Sequence, residues 1–214
     1  MNKPFFLSLT LCIFITVLSC STTTKPAEKI VDKTVYGNLE KAYFAAGCFW
    51  CEEAIFESLK GVKEAVSGYS GGHTKNPTYE DVNTETTGHA ESVEVYYDPK
   101  IISYTTLLKV YFASQDPTQV KGQGPDHGDS YRSIIFYQNE IEKNLAENYK
   151  KELNASGKYK KIIAVEIVPF QVFWKAEGYH QDYERSHPEN PYVQSVSIPR
   201  IERMKAQFPE LLKK

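Results

Sequence analysis

Lys41-Ala42-Tyr43-Phe44-Ala45-Ala46-Gly47-Cys48-Phe49-Trp50-Cys51-Glu52-Glu53-Ala54-Ile55-Phe56-Glu57-Ser58-Leu59-Lys60-Gly61 is the stretch on which the fold turns. Its first six residues form a short apolar strand that runs into Gly47, and residues 48–59 read as a helix ended by Gly61. Residues 62–69 make a second strand, so the unit is β-α-β, and a loop of Gly, Asn and Pro follows over 68–77. Residues 90–97 alternate as a strand, 104–113 are helical, 131–137 form a strand and 140–155 form the longest helix. In that helix Ile141, Leu145, Tyr149 and Leu153 recur every four residues and turn one stripe to a core. A last strand over 162–168 stops at Pro169. Interleaved strands and helices of these lengths give an α+β fold, a two-layer α/β sandwich on a mixed, mostly antiparallel sheet. The tail from Trp174, rich in Tyr, His and Pro, is expected to wrap the domain with only short helices.

The chain has 214 residues, 41% hydrophobic and 24% charged, with a formal net charge of −2. That supports an ordinary core and offers no basic excess for nucleic acid. All four cysteines, Cys12, Cys20, Cys48 and Cys51, lie in the first quarter, which argues against a framework of two disulfides. Residues 1–19 carry Lys3, an apolar run too short to span a membrane, and no acid, the pattern of an export signal. Val17-Leu18-Ser19-Cys20-Ser21 resembles a bacterial lipobox. Cleavage before Cys20 and acylation of its thiol would leave an exported, membrane-anchored lipoprotein facing the periplasm or the outside of the cytoplasmic membrane. The alternative is an ordinary cleaved signal in which Cys20 has no part. The polar residues 20–38 then form a tether, and the folded domain runs from 39 to 214. No exposed apolar stripe asks for a second copy, so a monomer is expected.

Cys48-Phe49-Trp50-Cys51 sits where a strand becomes a helix. Unpaired N–H groups and the positive end of the helix dipole favour an anion there, and a thiolate is one. An unperturbed cysteine is only about 3% ionised at neutral pH, and Cys48, at the very start, should be lowered most. Two helical residues three apart have Cα atoms roughly 5 Å apart, close enough for a disulfide that strains its own turn. Such a bond is easily reduced, which favours a redox-active pair over a structural staple. Two thiols without a His-rich partner motif do not make a metal site.

In Ala90-Glu91-Ser92-Val93-Glu94-Val95-Tyr96-Tyr97, the two-residue period places Glu91 with Val93, Val95 and Tyr97 and leaves Glu94 on a solvated face. A carboxyl group among apolar side chains is pushed toward its neutral, proton-donating form. From spacing alone, Glu91 could equally sit at a strand end and reach water. Tyr79 and Asp126 lie in loops beside these segments, and Tyr131 opens the strand over 131–137.

Gly47-Cys48-Phe49-Trp50, Gly68-Tyr69-Ser70-Gly71-Gly72, Asn76-Pro77-Thr78-Tyr79, Thr87-Gly88-His89-Ala90-Glu91 and Asp126-His127-Gly128 with Tyr131-Arg132-Ser133 resemble, in order and spacing, the peptide methionine sulfoxide reductase A (MsrA) family. His180-Gln181 with Tyr183 also fits. The resemblance implies the ferredoxin-like, MsrA-type form of the sandwich and an enzyme that reduces methionine S-sulfoxide in proteins. Cys48 would be the nucleophile and become a sulfenic acid. Glu91, protonated, would act on the sulfoxide oxygen with Tyr79 and Tyr131, Phe49 and Trp50 would receive the methyl group, and Asp126 would support the network. Many relatives resolve with cysteines in the C-terminal tail, which this chain lacks, so Cys51 is the expected resolving residue. The resemblance implies no bound cofactor and an external thioredoxin-type reductant. The main rival is a thioredoxin-like thiol-disulfide oxidoreductase, whose usual Gly-Pro is here Phe-Trp. A lipid-anchored binding module with a structural disulfide is a further alternative.

Overall fold

The computed structural model describes residue 1 and residues 37–214, so the leader, Cys12, Cys20 and nearly all of the tether lie outside the described residues. β1 (Glu40–Ala45) leads through Gly47 and Cys48 into α1 (Phe49–Glu57), and β2 (Val62–Ser70) returns. α2 (Tyr79–Asn83) is a short helix in the segment after the glycine loop, capped by Thr78, which accepts from Asp81 N–H. β3 (Ala90–Tyr97) and α3 (Tyr104–Ala113) follow as their patterns predict. A two-residue ribbon, β4 (Gly122–Gln123) with β5 (Asp126–His127), and a 3-10 turn over Asp129–Tyr131 precede β6 (Ile134–Tyr137). α4 (Glu140–Ala155), β7 (Glu166–Pro169) and β8 (Phe173–Lys175) complete the sandwich, and the tail adds α5 (Tyr183–Ser186), a π turn over Val193–Ser197 and α6 (Ile198–Gln207).

The six-stranded sheet has the order β7-β6-β1-β3-β2-β8, and every neighbouring pair is antiparallel except β6 with β7. Its main face packs on α1, α3 and α6 around Phe44, whose ring stacks on Phe56 and Tyr111 at centroid distances of 5.1 Å each.

Four expectations are corrected. Glu94 is buried, because Phe170 and Phe173 of the returning chain cover the second face of the sheet around Tyr43 and Phe136. Its carboxylate accepts from Tyr43 Oη at 2.7 Å, Tyr96 Oη at 2.6 Å and Lys41 Nζ at 2.9 Å, which offsets its loss of water. Ile141 is 74% exposed, since a four-residue repeat drifts around a 3.6-residue helix and the inward stripe is Glu142, Leu145, Ala146, Tyr149 and Leu153. The strands expected over 131–137 and 162–168 begin only at Ile134 and Glu166, with Tyr131 held in its 3-10 turn. The tail supplies an edge strand and a ten-residue helix, α6, which buries Ile201 and Met204.

Candidate active site

The site begins with a backbone constraint. Gly47 has φ +76°, and a Cβ there would lie 2.5 Å from Gln123 Cβ, so glycine turns the chain out of β1. Cys48 becomes the N-cap of α1, and the first free N–H, of Phe49, donates to Glu91 Oε2 at 3.0 Å. Glu91 is delivered by the start of β3, opposite Tyr69 of β2, with its side chain on the main core face as its period predicts. It is 3% exposed and does not reach water at a strand end.

Cys48, Phe49, Trp50, Tyr79, Glu91, Asp126 and Tyr131, expected together from sequence, all line one cavity of about 310 Å³. That volume is at the small end for a ligand site and suits a single side chain. Tyr79 comes from the first turn of α2, Tyr131 from the 3-10 turn and Asp126 from β5, and Asn83 and Tyr131 lie beside the Tyr79 phenol and lower its pKa against the effect of burial. Asn190 and Tyr192 complete the wall, and Tyr192 Oη donates to Asp126 Oδ2. Cys51 does not line the cavity. It lies behind Cys48, fully buried, and both cysteines are free thiols.

Burial raises Glu91 to about 8, against the lowering effect of the Phe49 N–H, so its carboxyl is neutral at pH 7. Burial also raises Asp126, Tyr79 and Tyr131, which keeps the phenols protonated. The thiols reverse the order expected from the helix start. Cys48 is raised by burial, by its own S–H donated to Cys51 and by the nearby charges of Cys51 and Glu91, and the Trp50 N–H lowers it only in part. Cys51 is lowered to about 6 by the bond from Cys48, then by the Arg200 charge and the Ser197 hydroxyl. The two thiols titrate as a pair, and the negative charge is favoured on the Cys51 side, which faces Arg200.

Sequence reasoning missed most of what the tail contributes. His180 is buried and, with its pKa lowered by burial to about 4, it is neutral, so its Nδ1 accepts from Trp50 Nε1 at 3.1 Å. Tyr183 stacks on Trp50 at 3.8 Å, and Glu177 accepts from Tyr79 N–H and Tyr69 Oη, each at 2.9 Å. The His180-Gln181 and Tyr183 block was the one sequence signal for this cover. Arg200 and Ser197, beneath Cys51, carried no signal. Among the described residues the one grouping of acids close enough to share a cation is Glu53, Glu57 and Asp182, and Arg185 is paired to both Glu57 and Asp182.

The family model for peptide methionine sulfoxide reductase matches residues 40–212. A peptide methionine sulfoxide reductase MsrA of Picrophilus torridus is 48% identical over 166 residues, 78% of this chain and 93% of that protein. That of Thermus thermophilus is 48% identical over 174 residues, 81% of this chain and 98% of the relative. Among solved structures, Saccharomyces cerevisiae Mxr1 in reduced form superposes with a TM-score of 0.68 at 30% identity, covering 72% of this chain and 88% of that one. Methionine sulfoxide reductase A of Corynebacterium diphtheriae does so with a TM-score of 0.64 at 33% identity, covering 72% and 77%. These likenesses do not favour a thioredoxin-like exchanger. With the Cys48 thiol, the neutral carboxyl and the two phenols meeting at one cavity, and with these relatives over most of its length, the chain belongs to the MsrA family of peptide methionine sulfoxide reductases and reduces methionine sulfoxide.

Proposed function

We propose that the side chain of a protein-bound methionine S-sulfoxide enters the cavity with its methyl group against Phe49 and Trp50, and that Cys48 attacks its sulfur. Glu91 gives its proton to the sulfoxide oxygen, with Tyr79 and Tyr131 as further donors and Asp126 holding Tyr192 in the wall. Cys51 takes the Cys48 proton as attack begins, so the shared negative charge moves to the attacking sulfur. As the new sulfur–sulfur bond forms, the S–O bond of the substrate breaks. The released oxygen, now a hydroxide, then bonds to Cys48 Sγ, the sulfur–sulfur bond breaks with its electron pair going to the substrate sulfur, and methionine leaves, with Cys48 now a sulfenic acid. Cys51 then displaces that oxygen as water, and a thioredoxin-type dithiol reduces the Cys48–Cys51 disulfide without a bound cofactor. Support comes chiefly from the neutral, buried Glu91 carboxyl at the same 310 Å³ cavity as the Cys48 thiol.

The segment before the family match carries the rest of the proposal: residues 1–19 as an export signal, an acylated Cys20, a tether over 20–38 and a catalytic domain over 39–214 held outside the cytoplasm. Among the described residues no helix is long and apolar enough to cross a membrane.

Single-turnover chemistry tests the thiol roles. Cys48→Ser is expected to release no methionine. Cys51→Ser is expected to release about one methionine per enzyme and then stop in the presence of thioredoxin. Full turnover by Cys51→Ser would remove Cys51 from the resolving role.

A further inference from the structure

Behind the cavity, the tail closes on Cys51. Cys51 has no exposed surface, whereas Cys48 lines the cavity. Ser197 Oγ, in the π turn before α6, lies 3.0 Å from Cys51 Sγ. One helical turn on, the buried Arg200 donates Nε to Ser114 O at 2.7 Å, Nη1 to Ala46 O at 2.9 Å and Nη2 to the Glu52 carboxylate. Two carbonyls on separate elements lock the guanidinium plane, so its charge cannot swing away from the thiol pair. That charge acts first on Glu52 and next on Cys51, and Glu52 Oε2 has no partner. Burial raises Glu52 to about 7, so Glu52 can take a proton when a second anion appears beside Arg200.

We infer that Arg200 and Ser197 are positioning residues that give Cys51 both tasks of the second half-cycle, attacking when the disulfide closes and departing when it reopens, so that the external dithiol attacks Cys48. The inference rests on the proposed two-cysteine chemistry and adds which sulfur is attacked. In closing, the Cys51 thiolate forms the S–S bond, the Cys48 S–O bond breaks, and the oxygen leaves as water with a proton from the site. In reopening, a thiolate of the reductant bonds to Cys48 Sγ from the cavity, the Cys48–Cys51 bond breaks, and its electron pair goes to Cys51 beside Arg200. The second thiol of the reductant, deprotonated, displaces Cys48, which takes up a proton. The reductant leaves as a disulfide, having supplied two electrons. A lower-pKa thiol is the better leaving group.

Glu52 on α1, Asp126 on β5, Glu91 on β3, Glu184 on α5 and Tyr192 before α6 also act on Cys51, and each favours its protonated form. Arg200 works against all five. Without it, Cys51 loses one of the effects that lower it, beside the bond from Cys48 and the Ser197 hydroxyl, and its thiolate fraction at pH 7 falls. A more basic thiolate is intrinsically a stronger nucleophile, which offsets part of that loss. The two effects oppose each other in the rate at pH 7, so the pH midpoint of disulfide closure is the discriminating readout.

In the full chain, closure of the pre-formed sulfenic acid is measured against pH in wild type, Arg200→Met and Arg200→Lys. The midpoint is expected to move up in Arg200→Met and to return toward the wild-type value in Arg200→Lys. An unmoved midpoint overturns the inference. Ser197→Ala carries the same test with a smaller upward move should Arg200→Met not fold. Independently, wild-type disulfide is trapped with thioredoxin whose second cysteine is Ser, and the adduct is mapped by mass spectrometry. It is expected on Cys48, and an adduct on Cys51 refutes the assignment. Turnover by Cys51→Ser would fail the underlying two-cysteine reading, whereas a trap on Cys51 with that reading intact fails only this inference.

Discussion

Replacing Glu91 with Gln separates chemistry from architecture. The amide oxygen still accepts from Phe49 N–H, now at 3.0 Å from Oε2, and the side chain keeps its volume, so the first turn of α1 keeps its anchor. The variant retains hydrogen bonds to the sulfoxide oxygen and loses the transferable proton. General-acid assistance is typically worth ~100- to 10,000-fold, or ~3–5 kcal/mol, and single-turnover methionine release should slow by that much. The wild-type rate should fall tenfold per pH unit above about 8, where Glu91 ionises, and Glu91→Gln should lack that limb. Stability should move the opposite way. The folded protein keeps a proton on Glu91 that the unfolded chain releases between pH 4.5 and about 8, so wild-type stability falls as pH rises through that window. Gln does not titrate. The variant should therefore gain stability relative to wild type across the window, by at most ~5 kcal/mol, with a constant difference on either side of it. Rapid-quench kinetics and denaturant melts at pH 4, 7 and 9 measure both effects. A loss of less than tenfold in methionine release with the alkaline limb intact would refute the acid role of Glu91.

Two further outcomes follow from single positions. Gly47→Ala forces a side chain into φ +76° and against Gln123, costing ~1–2 kcal/mol for the backbone and ~1–3 kcal/mol for the overlap; denaturant titration should show that loss together with weaker activity, and an unchanged midpoint would mean the turn out of β1 relaxes freely. Mass spectrometry of membrane-extracted protein should find an acylated Cys20 at the mature N-terminus, and an unmodified terminus at another residue would replace the lipid anchor with simple secretion.

Local patterns determined a good part of this protein. The turn from strand to helix at Gly47, the placement of Cys48 at the helix start, the strand Ala90–Tyr97 with Glu91 on its apolar face, and both longer helices of the sandwich follow from spacings of a few residues. The sequence blocks around Tyr79, Asp126 and Tyr131 also marked residues that meet at the cavity. Tertiary structure decided the environment of those groups. Glu94 was misplaced because periodicity registers which face a residue takes and not whether a distant loop covers that face. The thiol order inverted for the same reason: a helix N-terminus acts locally on Cys48, whereas burial and a guanidinium from the far end of the chain act on the pair. Trp50 meets His180 across 130 residues and Ala46 meets Arg200 across 154, and no spacing rule reaches that far. Sequence alone thus named the groups that meet at the cavity and the thiol behind them, and only the folded tail, by removing water and bringing one cation under Cys51, decided the electrostatics around them.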